Sequence, residues 1–180
     1  MTYFINLLTL SRIFLGGAIF LLLTRPEGYF LAFLLFFVAG ATDYFDGYLA
    51  RKYNLTSQMG EILDPIADKI LIVFVLFGLS VNLTSYFIAF MASLIITREI
   101  WVGALRDFNA RRGSTDATKV TFLAKTKTSI QLFTLSIYLL GLILSNNMFL
   151  LFGDMFLFLS LLITIYTGYI YTLNSFKDDY

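Results

Sequence analysis

The chain has 180 residues, 58% hydrophobic and only 14% charged, with a net charge of +1. Soluble domains run nearer 45–50% apolar and about 25% charged, so the composition predicts an integral membrane protein and argues against nucleic-acid binding. Neither Cys nor His occurs, which excludes disulfides, thiolates, imidazole bases and His metal ligands, and leaves chemistry to carboxylates, hydroxyls, Lys, Arg and a hard, oxygen-liganded metal.

A membrane span needs about 20 mainly apolar residues, and six such runs follow one another, predicting an all-α integral membrane bundle of six transmembrane helices. The first is Leu7–Thr24, stopped by Arg25-Pro26-Glu27-Gly28. It lacks a basic leader and an A-x-A-like site, so it reads as a span rather than a signal peptide. The second is Tyr29–Tyr48, with Asp43 and Asp46 in its last turns. The third is Asp64–Val81. There Pro65 suits a first helical turn, which places Asp64 at or near the cap and Asp68 one turn inside. The fourth runs from Tyr86 to about Leu105, the fifth over Thr128–Leu144 with a polar start a few turns earlier, and the sixth over Phe149–Leu173. No repeat or linker divides residues 1–180, so a single domain is expected.

Arg51 and Lys52 follow the second run, and Arg106, Arg111, Arg112, Lys119, Lys125 and Lys127 follow the fourth, while the links after the third and fifth are uncharged. The positive-inside rule then puts both termini, both basic links and all the aspartates described next on the cytoplasmic side.

Asp43, Asp46, Gly47 and Ala50 fall at i, i+3, i+4 and i+7, one helical stripe. Gly60, Asp64 and Asp68 repeat at four-residue steps on the next helix. Each stripe joins carboxylates to small residues that let a ligand approach the backbone. Four converging carboxylates would repel one another, and two divalent cations would neutralise them. Such an ion pair serves in-line displacement at phosphorus. All-oxygen donors favour Mg²⁺, with Mn²⁺ as a substitute. The bland reading, caps and surface charges at a membrane boundary, suits one aspartate better than four in register.

The pattern Asp43-x-x-Asp46-Gly47-x-x-Ala50-Arg51-x₈-Gly60-x-x-x-Asp64-x-x-x-Asp68 resembles the complete signature of the CDP-alcohol phosphatidyltransferases. The resemblance implies a six-helix membrane enzyme, usually a homodimer, that moves a phosphatidyl or similar group from a CDP-linked donor to an alcohol and releases CMP. It also implies two metal ions held by Asp43, Asp46, Asp64 and Asp68, with Asp68 as general base. Asn6 to Arg12, Thr97-Arg98-Glu99-Ile100, Ala104-Leu105-Arg106 and Ala124-Lys125-Thr126-Lys127-Thr128 leading to Gln131 are similar to the branch that joins CDP-diacylglycerol to sn-glycerol 3-phosphate. Asp107 departs from the Glu or apolar residue that often follows that Leu-Arg pair.

On this resemblance Gly47, Ala50 and Gly60 leave a slot for cytidine. Arg51 either meets the donor phosphates or snorkels at a helix end. Asn6, Thr9 and Arg12 either face the nucleotide or serve as caps and interfacial anchors. Arg98 is the first candidate for the acceptor phosphate, the alternative being a pair with Glu99. Arg106 is offset by about 80° from it on a helix and reaches the pocket edge, and at least one of Lys125 and Lys127 is expected to bind phosphate. Arg111, Arg112 and Lys119 suit contacts to anionic membrane lipids, and Trp101 and the other aromatics read as lipid-facing bulk.

Other acceptors keep the same chemistry, as in cardiolipin, phosphatidylinositol-phosphate or phosphatidylserine synthesis. An ion-conducting transporter or an inactive scaffold would be of another class; the first does not explain four aspartates at one mouth, and the presence of every acidic signature residue argues against the second.

Overall fold

The computed structural model describes residues 2–53, 58–113 and 122–176; within its helices, the side chains of 2–6, 8, 43, 44, 46–53, 58–62, 64, 65 and 122–125 lie outside that description. The described residues form six α-helices and no strand: α1 Thr2–Leu22, α2 Tyr29–Tyr53, α3 Gln58–Asn82, α4 Tyr86–Arg111, α5 Phe122–Ile143 and α6 Asn147–Ser175.

The helices neighbour one another in the order α2, α1, α3, α4, α6, α5 and back to α2, and α3 also touches α5 across the ring. The shared core holds Ile19 and Leu23 of α1 and its end, Phe36 of α2, Val75 and Leu79 of α3, Ile88 and Ile95 of α4, Tyr138 and Leu139 of α5, and Leu157 and Leu161 of α6. The outer faces carry exposed Phe14, Phe30, Phe90, Phe133, Phe158 and many aliphatic residues. A soluble monomer does not spread apolar surface so widely. Tyr86–Arg111, Thr126–Ile143 and Asn147–Ser175 are each long and apolar enough to cross a membrane, and Thr9–Leu22 and Pro26–Thr42 are shorter apolar helices.

Local chemistry sets the connections. Ser85 caps α4 by accepting from the Ile88 amide at 3.3 Å, and Asn146 caps α6 by accepting from Met148 at 2.9 Å. The residue before each cap, Thr84 or Ser145, is in the left-handed region at φ 46° and 49°, which turns the chain back at once. At the same end as the Thr84 turn, Asn82 donates to the Leu23 carbonyl and the Tyr29 hydroxyl, each at 2.7 Å, and ties α3 to the α1–α2 junction.

α1 begins at Thr2 and α2 runs on to Tyr53, each five residues beyond the sequence reading, and two further boundaries depart more. α3 begins at Gln58 rather than at Asp64, so Asp64 is inside the helix and does not cap it. Pro65 lacks an N–H, but the turns before it are already helical and the helix continues through it. α4 runs on to Arg111 rather than ending near Leu105, because its polar last turns are supported by an Asp107–Arg111 pair of 2.8 Å at i,i+4.

The α1–α2 junction is a 3₁₀ turn, Pro26–Gly28, in which Gly28 is buried. A Cβ at Gly28 would stand 2.3 Å from the Leu22 carbonyl oxygen, a backbone atom that cannot swing aside. Gly28→Ala is therefore expected to cost about 1–3 kcal/mol, the range for overpacked sites. Gly17→Ala, where a Cβ meets nothing within 4 Å, should be close to neutral. Thermal unfolding of the two variants in detergent, run side by side, checks this, and equal midpoints would dismiss the close approach.

Candidate active site

α3, α4 and α5 enclose a cavity of about 550 Å³ lined by Asp68, Lys69, Arg98, Glu99, Arg106, Lys127, Thr128 and Gln131, with Ile72, Leu76, Ile95 and Ile96 as its apolar wall. The polar residues come from three helices and meet because each stands on the inward stripe of its own helix. Among the described residues, four cations face the cavity, and Glu99 and Asp68 are its two carboxylates.

Glu99 is the electrostatic hub. Its Oε1 accepts from Arg98 Nη1 at 2.9 Å and from Lys127 Nζ, and Lys69 Nζ lies 3.5 Å from Oε2. The Glu99 side chain is 18% exposed, against 8% for Lys127 and 9% for Arg98, so those two pairs are screened far less than surface pairs, whereas Lys69 is a more exposed partner.

Arg98 is seated by α6. Its Nη2 donates to the Thr167 hydroxyl at 2.6 Å. Its stem lies on Gly168, where a Cβ would come within 3.1 Å of Arg98 Cγ and Nε. Arg98 and Arg106 each stand 5.9 Å from the centroid of the buried Tyr171 ring, within cation–π range. Trp101 Nε1–H donates to Thr172 at 2.9 Å and Asn109 to Ser175 at 2.7 Å, which continues this polar seam along α4 and α6.

At the α3 side of the cavity, Arg12 of α1 donates to Asp68 Oδ1. Arg12 is fully buried, whereas the Asp68 side chain is 38% exposed. The guanidinium also reaches Thr9 Oγ1 at 3.4 Å. Arg12 and Thr9 thus lie behind Asp68 and orient its carboxylate toward the opening.

Of the residues singled out in the sequence, Asp68, Arg98, Arg106 and Lys127 share this cavity, and Thr9 and Arg12 abut it through Asp68. Asp43, Asp46, Gly47, Ala50 and Arg51 occupy the last turns of α2, and Gly60 and Asp64 the first turns of α3. Their side chains, with those of Asn6 and Lys125, lie outside the description. Arg98 does pair with Glu99, the alternative considered for it, and lines the cavity as well. Sequence reasoning missed Lys69 and Gln131 as lining residues, Glu99 as the partner of three cations, and Thr167, Gly168 and Tyr171 as the seat of Arg98. A charge such as Glu99 in an apolar run, one residue from Arg98, was the available signal.

The family model for CDP-alcohol phosphatidyltransferase matches residues 3–166. A CDP-diacylglycerol–glycerol-3-phosphate 3-phosphatidyltransferase of Rickettsia bellii is 43% identical over 169 residues, covering 92% of this chain and 91% of the relative. Proteins of the same name from Blochmanniella floridana and Escherichia coli (strain K12) are 37% and 36% identical, over 83% and 73% of this chain and 78% and 73% of their own lengths. The chain belongs to the CDP-alcohol phosphatidyltransferase family.

Removing the charge of Glu99 leaves three cations facing one another. Glu99→Gln is expected to cost on the order of 3 kcal/mol, the low end for breaking a buried pair, because the cavity admits water. A fall of several degrees in the unfolding midpoint checks this. An unchanged midpoint would mean that Glu99 is not the counter-charge of the cluster.

Proposed function

We propose that this chain transfers the phosphatidyl group of CDP-diacylglycerol to sn-glycerol 3-phosphate, giving phosphatidylglycerophosphate and CMP. The observation that carries the reading is the cavity that sets one partly exposed aspartate, Asp68, among Arg98, Arg106, Lys127 and Lys69. Such a wall suits a small phosphorylated alcohol, its phosphate held by cations and its hydroxyl presented to a carboxylate.

The donor set fits a divalent metal. The chain has no His or Cys, its signature carboxylates are all aspartates, and Asp68 opens to the cavity rather than being sealed away. Asp43, Asp46, Asp64 and Asp68 would hold two ions, Mg²⁺ being the hard ion they suit. When bound, the ions would supply charge neutralisation at the pyrophosphate and the departing CMP.

Asp68, aligned by Arg12, takes the proton from the acceptor hydroxyl as that oxygen attacks the phosphorus carrying diacylglycerol. A positioned base of this kind contributes roughly 10²–10⁴-fold. Arg98 and Lys127 hold the acceptor phosphate, with Arg106 at the cavity edge and Lys125 as a further cation near it. Gly47, Ala50 and Gly60 leave room for cytidine, Arg51 meets the donor phosphates, and Asn6, Thr9 and Arg12 support the nucleotide side.

The same reading takes residues 1–180 as one domain with all six helices spanning the bacterial cytoplasmic membrane. α1, α2 and α3 complete the three longer spans, and the basic links and both termini face the cytoplasm. It also takes the working form as a homodimer among membrane lipids.

The deciding experiment follows CMP release by purified protein in CDP-diacylglycerol micelles with Mg²⁺, offering glycerol 3-phosphate, inositol phosphate, serine and phosphatidylglycerol in turn. Release with glycerol 3-phosphate alone, abolished by Asp68→Asn, is expected. Release with a different acceptor would discard the acceptor assignment and keep the chemistry, and release with none would discard both.

Arg98→Ala is expected to raise KM for glycerol 3-phosphate at least tenfold, since a charged hydrogen bond is worth about 1.5–3 kcal/mol, and to leave KM for CDP-diacylglycerol within twofold. Equal effects on the two substrates would count against an acceptor-phosphate role.

A further inference from the structure

Gln131 lines the cavity on α5, one turn beyond Lys127. It is 5% exposed. Its Nε2 is buried, yet it has no hydrogen-bond partner. A buried amide without a partner forfeits its hydration, and folded proteins rarely leave one so. Its neighbours on the same wall are engaged at their charged ends: Lys127 with Glu99, and the two terminal nitrogens of Arg98 with Glu99 and Thr167, while Arg98 Nε is unpaired. The unspent donor stands one turn along the helix from a cation already assigned to phosphate.

We propose that Gln131 is a specificity-determining residue whose side-chain amide donates a hydrogen bond to the non-reacting hydroxyl of a phosphorylated three-carbon polyol. The inference rests on the acceptor reading above and deepens it. The phosphate of such an acceptor lies against Lys127 and Arg98, and the terminal hydroxyl that attacks lies toward Asp68. The secondary hydroxyl between them is the remaining polar group of the ligand. Among the described lining residues Gln131 Nε2 is an unpaired buried donor, the other being Arg98 Nε, which belongs to the side chain assigned to the phosphate. Such a contact favours the acceptor that carries the hydroxyl, because an analogue lacking the group leaves the buried donor unpaired.

The test compares glycerol 3-phosphate with 3-hydroxypropyl phosphate, which lacks only the secondary hydroxyl, in wild type, Gln131→Met and Gln131→Leu. Methionine keeps the length of the side chain without a donor, and leucine is a second uncharged side chain without one. Unfolding midpoints in detergent establish which variants are folded. Wild type is expected to prefer glycerol 3-phosphate in kcat/KM by up to about tenfold, the value of one hydrogen bond between uncharged groups. Either folded variant should lose that preference by slowing with glycerol 3-phosphate and holding its rate with the deoxy acceptor. Equal losses on both acceptors, or no loss on either, would overturn the hydroxyl contact and leave Gln131 a packing residue. Absence of CMP release by wild type with glycerol 3-phosphate would instead overturn the acceptor reading itself, so the two failures are told apart.

Discussion

Glu99 is where the electrostatics of the cavity are decided. Lys69 from α3, Arg98 from its own helix and Lys127 from α5 all converge on its two oxygens. Two unit charges 4 Å apart interact by about 4 kcal/mol at an effective dielectric of 20. Three cations gathered round one residue repel one another, and Glu99 is the acid that each of them meets. One carboxylate offsets much of that repulsion and leaves a surplus of positive charge, to which Arg106 adds. The arrangement holds three helices together and remains poised for an anion. Even with Asp68 the described wall holds two acids against four cations, and an apolar residue in place of Glu99 would leave the three cations without their shared counter-charge.

Positioning of the cations depends on helices that contribute little to the cavity itself. α6 supplies no lining residue, yet Thr167, Gly168 and Tyr171 determine where Arg98 lies. α1 lies behind Asp68 in the same way, through the buried Arg12 and Thr9. Both supports are hydrogen bonds from a buried guanidinium, whose planar fork fixes direction as a flexible ammonium does not. Two of the charged groups at the cavity, Asp68 and Arg98, are thus held from behind by helices that do not line it.

The six helices were legible because apolar runs of span length are separated by short polar links, and the turns at Thr84 and Ser145 fall in the links read as such. The start of α3 was not legible, because Pro65 after Asp64 imitates a first turn while the polar residues before it also accept helical geometry. Arg98, Arg106, Lys127 and Asp68 were legible as charges on apolar helices, which demand an explanation. Glu99 as a hub was not, since convergence of Lys69, Arg98 and Lys127 on one acid is a product of helix packing between residues up to 58 positions apart. Gly168 could not be read either, because a glycine that makes room for an arginine looks like any other small residue on a lipid-rich helix.

The polarity of the cavity is itself informative. Ile72, Leu76, Ile95 and Ile96 form an apolar wall continuous with the charged cluster of Glu99, Lys127 and Arg106. A reaction between a lipid-borne pyrophosphate and a water-soluble phosphate has to occur where both phases meet, because neither substrate can enter the other's solvent cheaply. A purely polar cleft would strand the acyl chains, and a purely apolar one would exclude the acceptor. Charged groups held by packing at the edge of an apolar bundle meet both demands. That requirement accounts for the six charged residues, Asp68, Lys69, Arg98, Glu99, Arg106 and Lys127, that line one cavity beside this apolar wall.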